Sequence, residues 1–155
     1  MKANIGIAEA HANEVYKKLN LLLADEIMLY SKTRTCHWNV TGPAFSVLHK
    51  FFEVQYDELA SMADEVAERV RMLGGTATGA LGAVVANSRL GEAKDDSGAM
   101  KMVLSLLNDH ETMIRAIREE IEEVNAIHKD AGTADFLTGV MRAHEKMAWM
   151  LRAHL

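Results

Sequence analysis

Residues 45–75 read FSVLHKFFEVQYDELASMADEVAERVRMLGG. Phe45, Leu48, Phe52, Tyr56, Leu59, Ala63, Val66, Val70 and Leu73 recur in unbroken steps of three and four, the repeat that lays one apolar stripe along an α-helix. Gly74-Gly75 ends the run, as glycine commonly does just past a helix. Upstream, Thr41-Gly42-Pro43 breaks the preceding pattern. Pro43 suits the first turn of a new helix, where the N–H it lacks would have no intrahelical partner. A helix of about 29 residues is roughly 43 Å long and needs partners along its whole stripe.

Those partners can be read outward from it. Before it, over about residues 7–36, Val15, Leu19, Leu23, Ile27 and Tyr30 share one helical face. After it, Val103, Leu107, His110, Ile114, Ile117, Ile121 and Val124 stripe a helix over about 97–125. Leu137, Met141, His144, Ala148 and Leu151 stripe another over about 133–153. The stretch between the second and third helices, residues 74–98, holds six of the ten glycines and has no charge in its first fifteen positions. A short apolar helix is expected there, over about 79–90. The first and last links are short, so each flanking pair is antiparallel, while the middle link can cross the full bundle length. The predicted architecture is therefore all-α, a four-helix bundle with one long crossover containing a short helix, the ferritin-like arrangement. A simple up-down-up-down bundle is the alternative, and it leaves the long connection without a purpose. Leu81, Val84 and Val85 would form a poor monomer surface, which hints at contact between copies.

Composition agrees. The 155 residues are 49% apolar and 25% charged, with one proline, one cysteine and a formal net charge of −5. That is one domain, residues 1–155, long enough to bury a core without disulfides or structural zinc. Cys36 alone offers no disulfide framework. No secretory signal is read at the start and no window approaches a membrane span of about 18 apolar residues, so a cytoplasmic protein without a membrane partner is expected. Lys2, Lys17 and Lys18 among the first twenty residues, and Arg152 near the end, do not form a basic arm of the kind nucleic-acid binders carry.

Seven histidines stand at 11, 37, 49, 110, 128, 144 and 154. None has Asp or Glu three positions before it, so the Glu-x-x-His pattern of di-iron bundles that hold metal within one subunit is missing. His49 has Glu53 four residues on, and Asp64 and Glu68 lie at +15 and +19. At 100° per residue these carboxylates fall about 40°, 60° and 100° from His49, all on one side of the helix. Fifteen residues, however, is about 22 Å of rise, too far for one metal. Two antiparallel copies of the helix would bring the His49/Glu53 end of one to the Asp64/Glu68 end of the other, giving two equivalent sites. His37 could fold back onto the same end. Such nitrogen and oxygen ligands suit iron, with zinc, manganese and cobalt as competitors. On spacing alone, solvated carboxylates and an ordinary structural His49 remain open alternatives.

The segments His37-Trp38-Asn39-Val40-Thr41-Gly42-Pro43-Ala44-Phe45, Leu48-His49-x-x-Phe52-Glu53 and Asp64-Glu65-Val66-Ala67-Glu68-Arg69-Val70-Arg71-x-Leu73-Gly74 resemble the Dps family, the miniferritins or DNA-binding proteins from starved cells. The resemblance spans essentially the whole chain. It implies a hollow homododecamer whose ferroxidase centres lie between two-fold-related subunits, with His37, His49 and Glu53 from one subunit and Asp64 and Glu68 from its mate as iron ligands. Some members carry Asp where this chain has Glu53. The implied activity is oxidation of Fe(II), preferably by hydrogen peroxide and otherwise by O2, with Fe(III) stored as a ferric oxyhydroxide mineral and no organic cofactor. Trp38 would absorb stray oxidising equivalents beside the site, and Asp130 and Asp135 resemble residues lining iron pores. Many members bind DNA through a Lys-rich tail, which this chain lacks, so weak or absent DNA binding is expected. A nucleoid DNA-protecting protein with little ferroxidase activity is the alternative. Cys36 and the methionines are expected as packing residues, His110 and His144 as hydrogen-bonded core residues, and Glu119-Glu120-x-Glu122-Glu123 as a solvated face.

Overall fold

A computed structural model of the chain describes residues 3–93 and 98–155; Lys2 lies outside them. Five helices make up the architecture: α1 (Glu9–Asn39), α2 (Phe45–Met72), α3 (Leu81–Asn87), α4 (Ala99–Ala126) and α5 (Ala131–Arg152). The hairpins α1/α2 and α4/α5 pack against each other, α1 on α4 and α2 on α5, while α3 lies against α1. This is the expected ferritin-like bundle, crossed by a long connection that carries a short helix.

The apolar stripes enter the core largely where the spacing puts them. Leu48, Phe52, Leu59, Val66 and Val70 of α2 are fully buried in one core cluster with Val103, Leu106, Met113, Ile117 and Val124 of α4 and Leu137, Met147 and Leu151 of α5. In α1 the expected stripe holds through Leu23, which is buried, and drifts to the margin beyond it. The fully enclosed line runs Val15, Leu19, Leu22, Glu26, Leu29, Thr33, and Ile27 and Tyr30 sit at its margin. The reason is Glu26, a carboxylate at a core position, which breaks the apolar pattern without breaking the helix.

One oxygen of Glu26 finds a partner across the bundle, while its buried Oε2 has none among the described residues. His144 Nε2 donates to its Oε1 at 2.8 Å, and the Nδ1 atoms of His144 and His110 are hydrogen-bonded at 2.8 Å. With His144 donating to the carboxylate, its Nδ1 accepts from His110. All three side chains are enclosed. Burial, and then the neighbouring His144, push His110 well below the usual imidazole range, so this chain of groups is neutral at its far end.

The crossover is fastened by charge. Arg89, just past α3, donates through Nε to Asp25 Oδ2 at 2.6 Å and through Nη1 to Glu120 Oε1 at 2.8 Å. The Arg89 backbone N–H and the Ser88 hydroxyl also donate to Asp25 Oδ1. Glu120 is therefore turned inward and buried, whereas Glu119 and Glu122 stay exposed. The acidic run of α4 is thus a solvated face with one exception. At the start of the crossover, Gly74 at φ 87° closes α2 through Gly74 N–H to Arg71 C=O and Gly75 N–H to Val70 C=O, both 3.0 Å, a left-handed cap that favours glycine. A Cβ on Gly75 would lie 2.5 Å from Cγ of Tyr16, so the crossover can run this close to α1 only without a side chain there. On α3, Val84 is buried while Leu81 and Val85 stay exposed, leaving an apolar outer face as expected.

Candidate metal centre

The corner between α1 and α2 sets the register of the hairpin. Gly42 adopts φ 100°, and the Phe45 N–H bonds back to the Gly42 carbonyl at 3.0 Å. Turning here brings residue 37, in the last turn of α1, beside residue 49, in the second turn of α2. Their imidazoles stack at 3.7 Å between centroids with planes 22° apart.

Each ring is fixed by the other's backbone. His37 Nδ1 donates to the His49 carbonyl at 2.8 Å, and His49 Nδ1 donates to the His37 carbonyl at 2.9 Å. A carbonyl can only accept, so both rings carry a proton on Nδ1, and in the neutral imidazole that leaves the lone pair on Nε2. That is the tautomer a metal ligand needs, held by the kind of backbone contact that orients metal-bound histidines. The His37 carbonyl also lies among the last four of α1, which have no partner within the helix. One bond thus completes a helix end and sets a ligand.

Glu53, one turn beyond His49, is near enough for both imidazoles to act on its carboxyl. Its Oε2 accepts from Lys50 at 2.6 Å, and that ammonium holds the carboxyl below the ordinary range, chiefly through the hydrogen bond. Asp64 and Glu68 are exposed farther along α2 and make no hydrogen bond or ion pair among the described residues. The fifteen residues from His49 to Asp64 are continuous α-helix, so about 22 Å separates these two ends. Among the described residues, no three His, Cys, Asp or Glu side chains of one chain converge as a metal site. One subunit thus offers two half-sites: an oriented pair of imidazoles with Glu53, and a pair of uncommitted carboxylates. Val47 and Val54, 63% and 54% exposed, lie on the same outer side of α2, where a second copy would cover them.

The aromatic surroundings differ in detail from expectation. Tyr56 stands edge-on to His37 at 5.3 Å, and Phe45 lies 5.0 Å from His49. Trp38 is 63% exposed, with the Arg34 guanidinium 5.2 Å from its ring centroid. Arg34 is also 5.7 Å from the rings of Tyr30 and Tyr56. Tyr56 was legible, seven residues and about two turns from His49, but it read as one more stripe residue.

The two acids expected at an iron pore separate. Asp130 is buried, accepts the Thr133 N–H at 2.9 Å and the Thr133 hydroxyl, and pairs with Arg69 at 3.3 Å. It caps α5, and both its oxygens are engaged within the subunit. Asp135 is exposed. Cys36 is half-buried. Of the expected packing methionines, 62, 102, 113, 141 and 147 are buried, whereas Met150 lies near the surface.

Residues 16–155 match the ferritin-like domain of the ferritin family. DNA protection during starvation protein 2 of Bacillus anthracis is 36% identical over 142 residues, covering 92% of this chain and 97% of the relative. The chain belongs to the Dps family. A crystal structure of a Dps protein from Bacillus brevis superposes with a TM-score of 0.89 at 34% identity, covering 94% of this chain and 97% of that one. A Dps protein from Vibrio cholerae, described as a member of a broad superfamily of ferritin-like diiron-carboxylate proteins, gives 0.92 at 28% identity, with coverage of 99% and 96%. Membership of the Dps family supports iron storage or DNA protection in general, and self-association as the mode of assembly.

Proposed function

We propose that this chain is a ferroxidase and iron store whose sites form only when two copies meet. The observation that carries the reading is the pair of half-sites on α2 and its corner: His37 and His49 oriented by reciprocal carbonyl bonds, and Asp64 and Glu68 left uncommitted about 22 Å away on the same helix. Antiparallel pairing of α2 across a two-fold axis would complete two sites at once.

Iron is the substrate of this centre. The two imidazole lone pairs would receive Fe(II), and Asp64 and Glu68 of the second copy, with Glu53, would supply the negative charge that favours Fe(III). Two adjacent Fe(II) ions deliver the two electrons that hydrogen peroxide needs: two Fe(II), one peroxide and two protons give two Fe(III) and two waters. The pairing avoids the one-electron step that would release hydroxyl radical. Lys50 already holds Glu53 ionised, so Glu53 needs no deprotonation before binding but has to leave that ammonium. Exposed Trp38, beside His37 in the chain, would take up stray oxidising equivalents. The product would be stored as ferric mineral within a cytoplasmic shell of twelve copies, with Asp135 on an iron path. O2 is the alternative oxidant.

Replacing His37 and His49 together by glycine should slow peroxide-driven Fe(II) oxidation strongly while leaving assembly intact on size exclusion. Unchanged rates would overturn the site. The names of relatives such as the Bacillus anthracis protein favour a second reading, DNA protection with little iron turnover. Tight DNA binding without Fe(II) oxidation would establish that reading instead.

A further inference from the structure

A second group of metal-ligating side chains lies at the opposite end of α1, where that helix begins and α4 ends. His11, in the first turn of α1, and His128, just past α4, approach with their Nδ1 atoms 3.1 Å apart and their rings edge to face. Two nitrogens bound to one tetrahedral zinc at about 2.05 Å are roughly 3.3 Å apart. The two imidazoles are thus already close to the spacing a single divalent ion would impose.

The surroundings fix His128 as a ligand. It is 7% exposed. Its Nε2 is buried without a well-formed hydrogen bond, and the nearest carboxylate oxygen is Glu123 Oε1 at 3.5 Å. A proton on Nε2, facing Glu123, leaves the Nδ1 lone pair facing His11, the carboxylate–histidine–metal order in which a carboxylate behind the ring raises its basicity. The backbone holds this arrangement at a cost. Lys129 is the one non-glycine residue with positive φ among those described, at 56°, a conformation disfavoured for lysine. The Asp130 N–H bonds to the Val124 carbonyl at 3.2 Å, and the Asp130 side chain is anchored to Thr133 and Arg69. This strained turn presents His128 inward.

A third ligand is one turn from His11. Glu14 lies near enough to His128 for the imidazole to act on its carboxyl, although it now accepts from Lys17 at 2.7 Å. Both partners of that ion pair are largely exposed, so a rotamer change would release it at little cost. Among the described residues no three such groups converge, so ion binding and this movement would occur together.

We propose that His11 and His128, with Glu14 drawn in from Lys17 and Glu123 orienting His128, form a peripheral site for a divalent borderline ion such as zinc, tying the start of α1 to the α4–α5 turn. His11 would move its proton from Nδ1 to Nε2, and water would complete the coordination. The site shares no residue with the iron centre.

The test titrates the assembled H37G/H49G protein with Zn(II) by calorimetry, alongside zinc-edge anomalous diffraction. One zinc per chain is expected, with an anomalous peak between the His11 and His128 Nδ1 atoms. H11A should abolish that binding and that peak, and E123Q should weaken it by about 10- to 100-fold. H11A alters a partly exposed residue, so the result does not depend on whether a variant of buried His128 folds. Binding undiminished by H11A, or a peak elsewhere with none at this corner, would overturn the proposal. Undiminished iron oxidation by H37G/H49G, with zinc binding at this corner retained, would count against the iron centre alone.

Discussion

The separation of the two half-sites on α2 makes a complementation experiment decisive. Take one variant without the imidazoles, H37G/H49G, and another without the distal carboxylates, D64A/E68A. If each centre takes histidines from one chain and carboxylates from its mate, both variants alone are inactive. A mixed pair is different: one of its two centres combines both defects, but the other combines intact histidines from the acid variant with intact carboxylates from the histidine variant. Random pairing of equal amounts makes about half of all pairs mixed, so about a quarter of all centres are restored. A centre built within one chain would gain nothing from mixing, and about 22 Å of continuous helix already stands against it. The assay is the initial rate of peroxide-driven Fe(II) oxidation at saturating iron. It is followed by absorbance of the ferric product, after co-refolding the two variants and isolating the assembly. A rate near a quarter of the parent is expected. A rate indistinguishable from the separate variants, in material shown by mass spectrometry to contain mixed pairs, would refute the shared centre, as would full activity in D64A/E68A alone.

Three further outcomes follow from the charged and polar interior. Arg89→Met removes the cation between buried Asp25 and Glu120; breaking such a pair costs about 3 kcal/mol at the low end, or roughly 6–12 °C of melting temperature for a chain of this size. Burial already raises the Glu120 carboxyl against the pull of Arg89. A raised folded value means stability present at low pH is lost as pH climbs through it, so without Arg89 the deficit should be larger at pH 8 than at pH 5, measured at one protomer concentration; equal deficits would contradict this account. His110 is held below the imidazole value of 6.5, so the unfolded chain takes up a proton that the folded chain refuses, and stability contributed by that difference fades as pH falls below about 6.5. His110→Phe should flatten the dependence of melting temperature on pH between about 6.5 and 5, and an unchanged slope would point to other groups. Finally, the described lysines near the start of α1 are engaged, Lys17 with Glu14 and Lys18 with Glu123, and the net charge is −5. A gel-shift titration at about 0.15 M salt should therefore show no tight complex with duplex DNA; a retarded band at nanomolar protein would reverse the expectation.

Sequence spacing revealed different amounts of these features for a physical reason. On α2 the helix is long and uninterrupted, so a period of 3.6 residues fixes the angles of His49, Glu53, Asp64 and Glu68 around it. On α1 the same period misled after Leu23, because the next core position belongs to Glu26 and its partner, His144, lies 118 residues away. No local pattern announces that a carboxylate will be paid for by a histidine on another helix. Glu120 illustrates the same limit: its neighbours in the acidic run are solvated, and only Arg89, arriving on the crossover, turns it inward. Asp130 and Asp135 stand close together in sequence, but the tight turn after α4 made the first a helix cap and left the second exposed.

The α1/α2 corner joins fold and chemistry more tightly than either half-site does alone. The twelve residues between His37 and His49 are set by where α1 ends, how Gly42 turns, and where α2 begins. With that length, each ring reaches the other's carbonyl. One residue inserted between Val40 and Ala44 would rotate or displace α2 relative to α1, separating the rings, releasing both tautomers and stripping the last turn of α1 of the His37 carbonyl's partner. Asp64 and Glu68 have no comparable support, since their side chains make no hydrogen bond or ion pair among the described residues, and their geometry would be set by whatever pairs with α2. If the proposed centre is shared between copies, its imidazole half would be pre-organised by the monomer and its carboxylate half by assembly, which would couple iron oxidation to self-association.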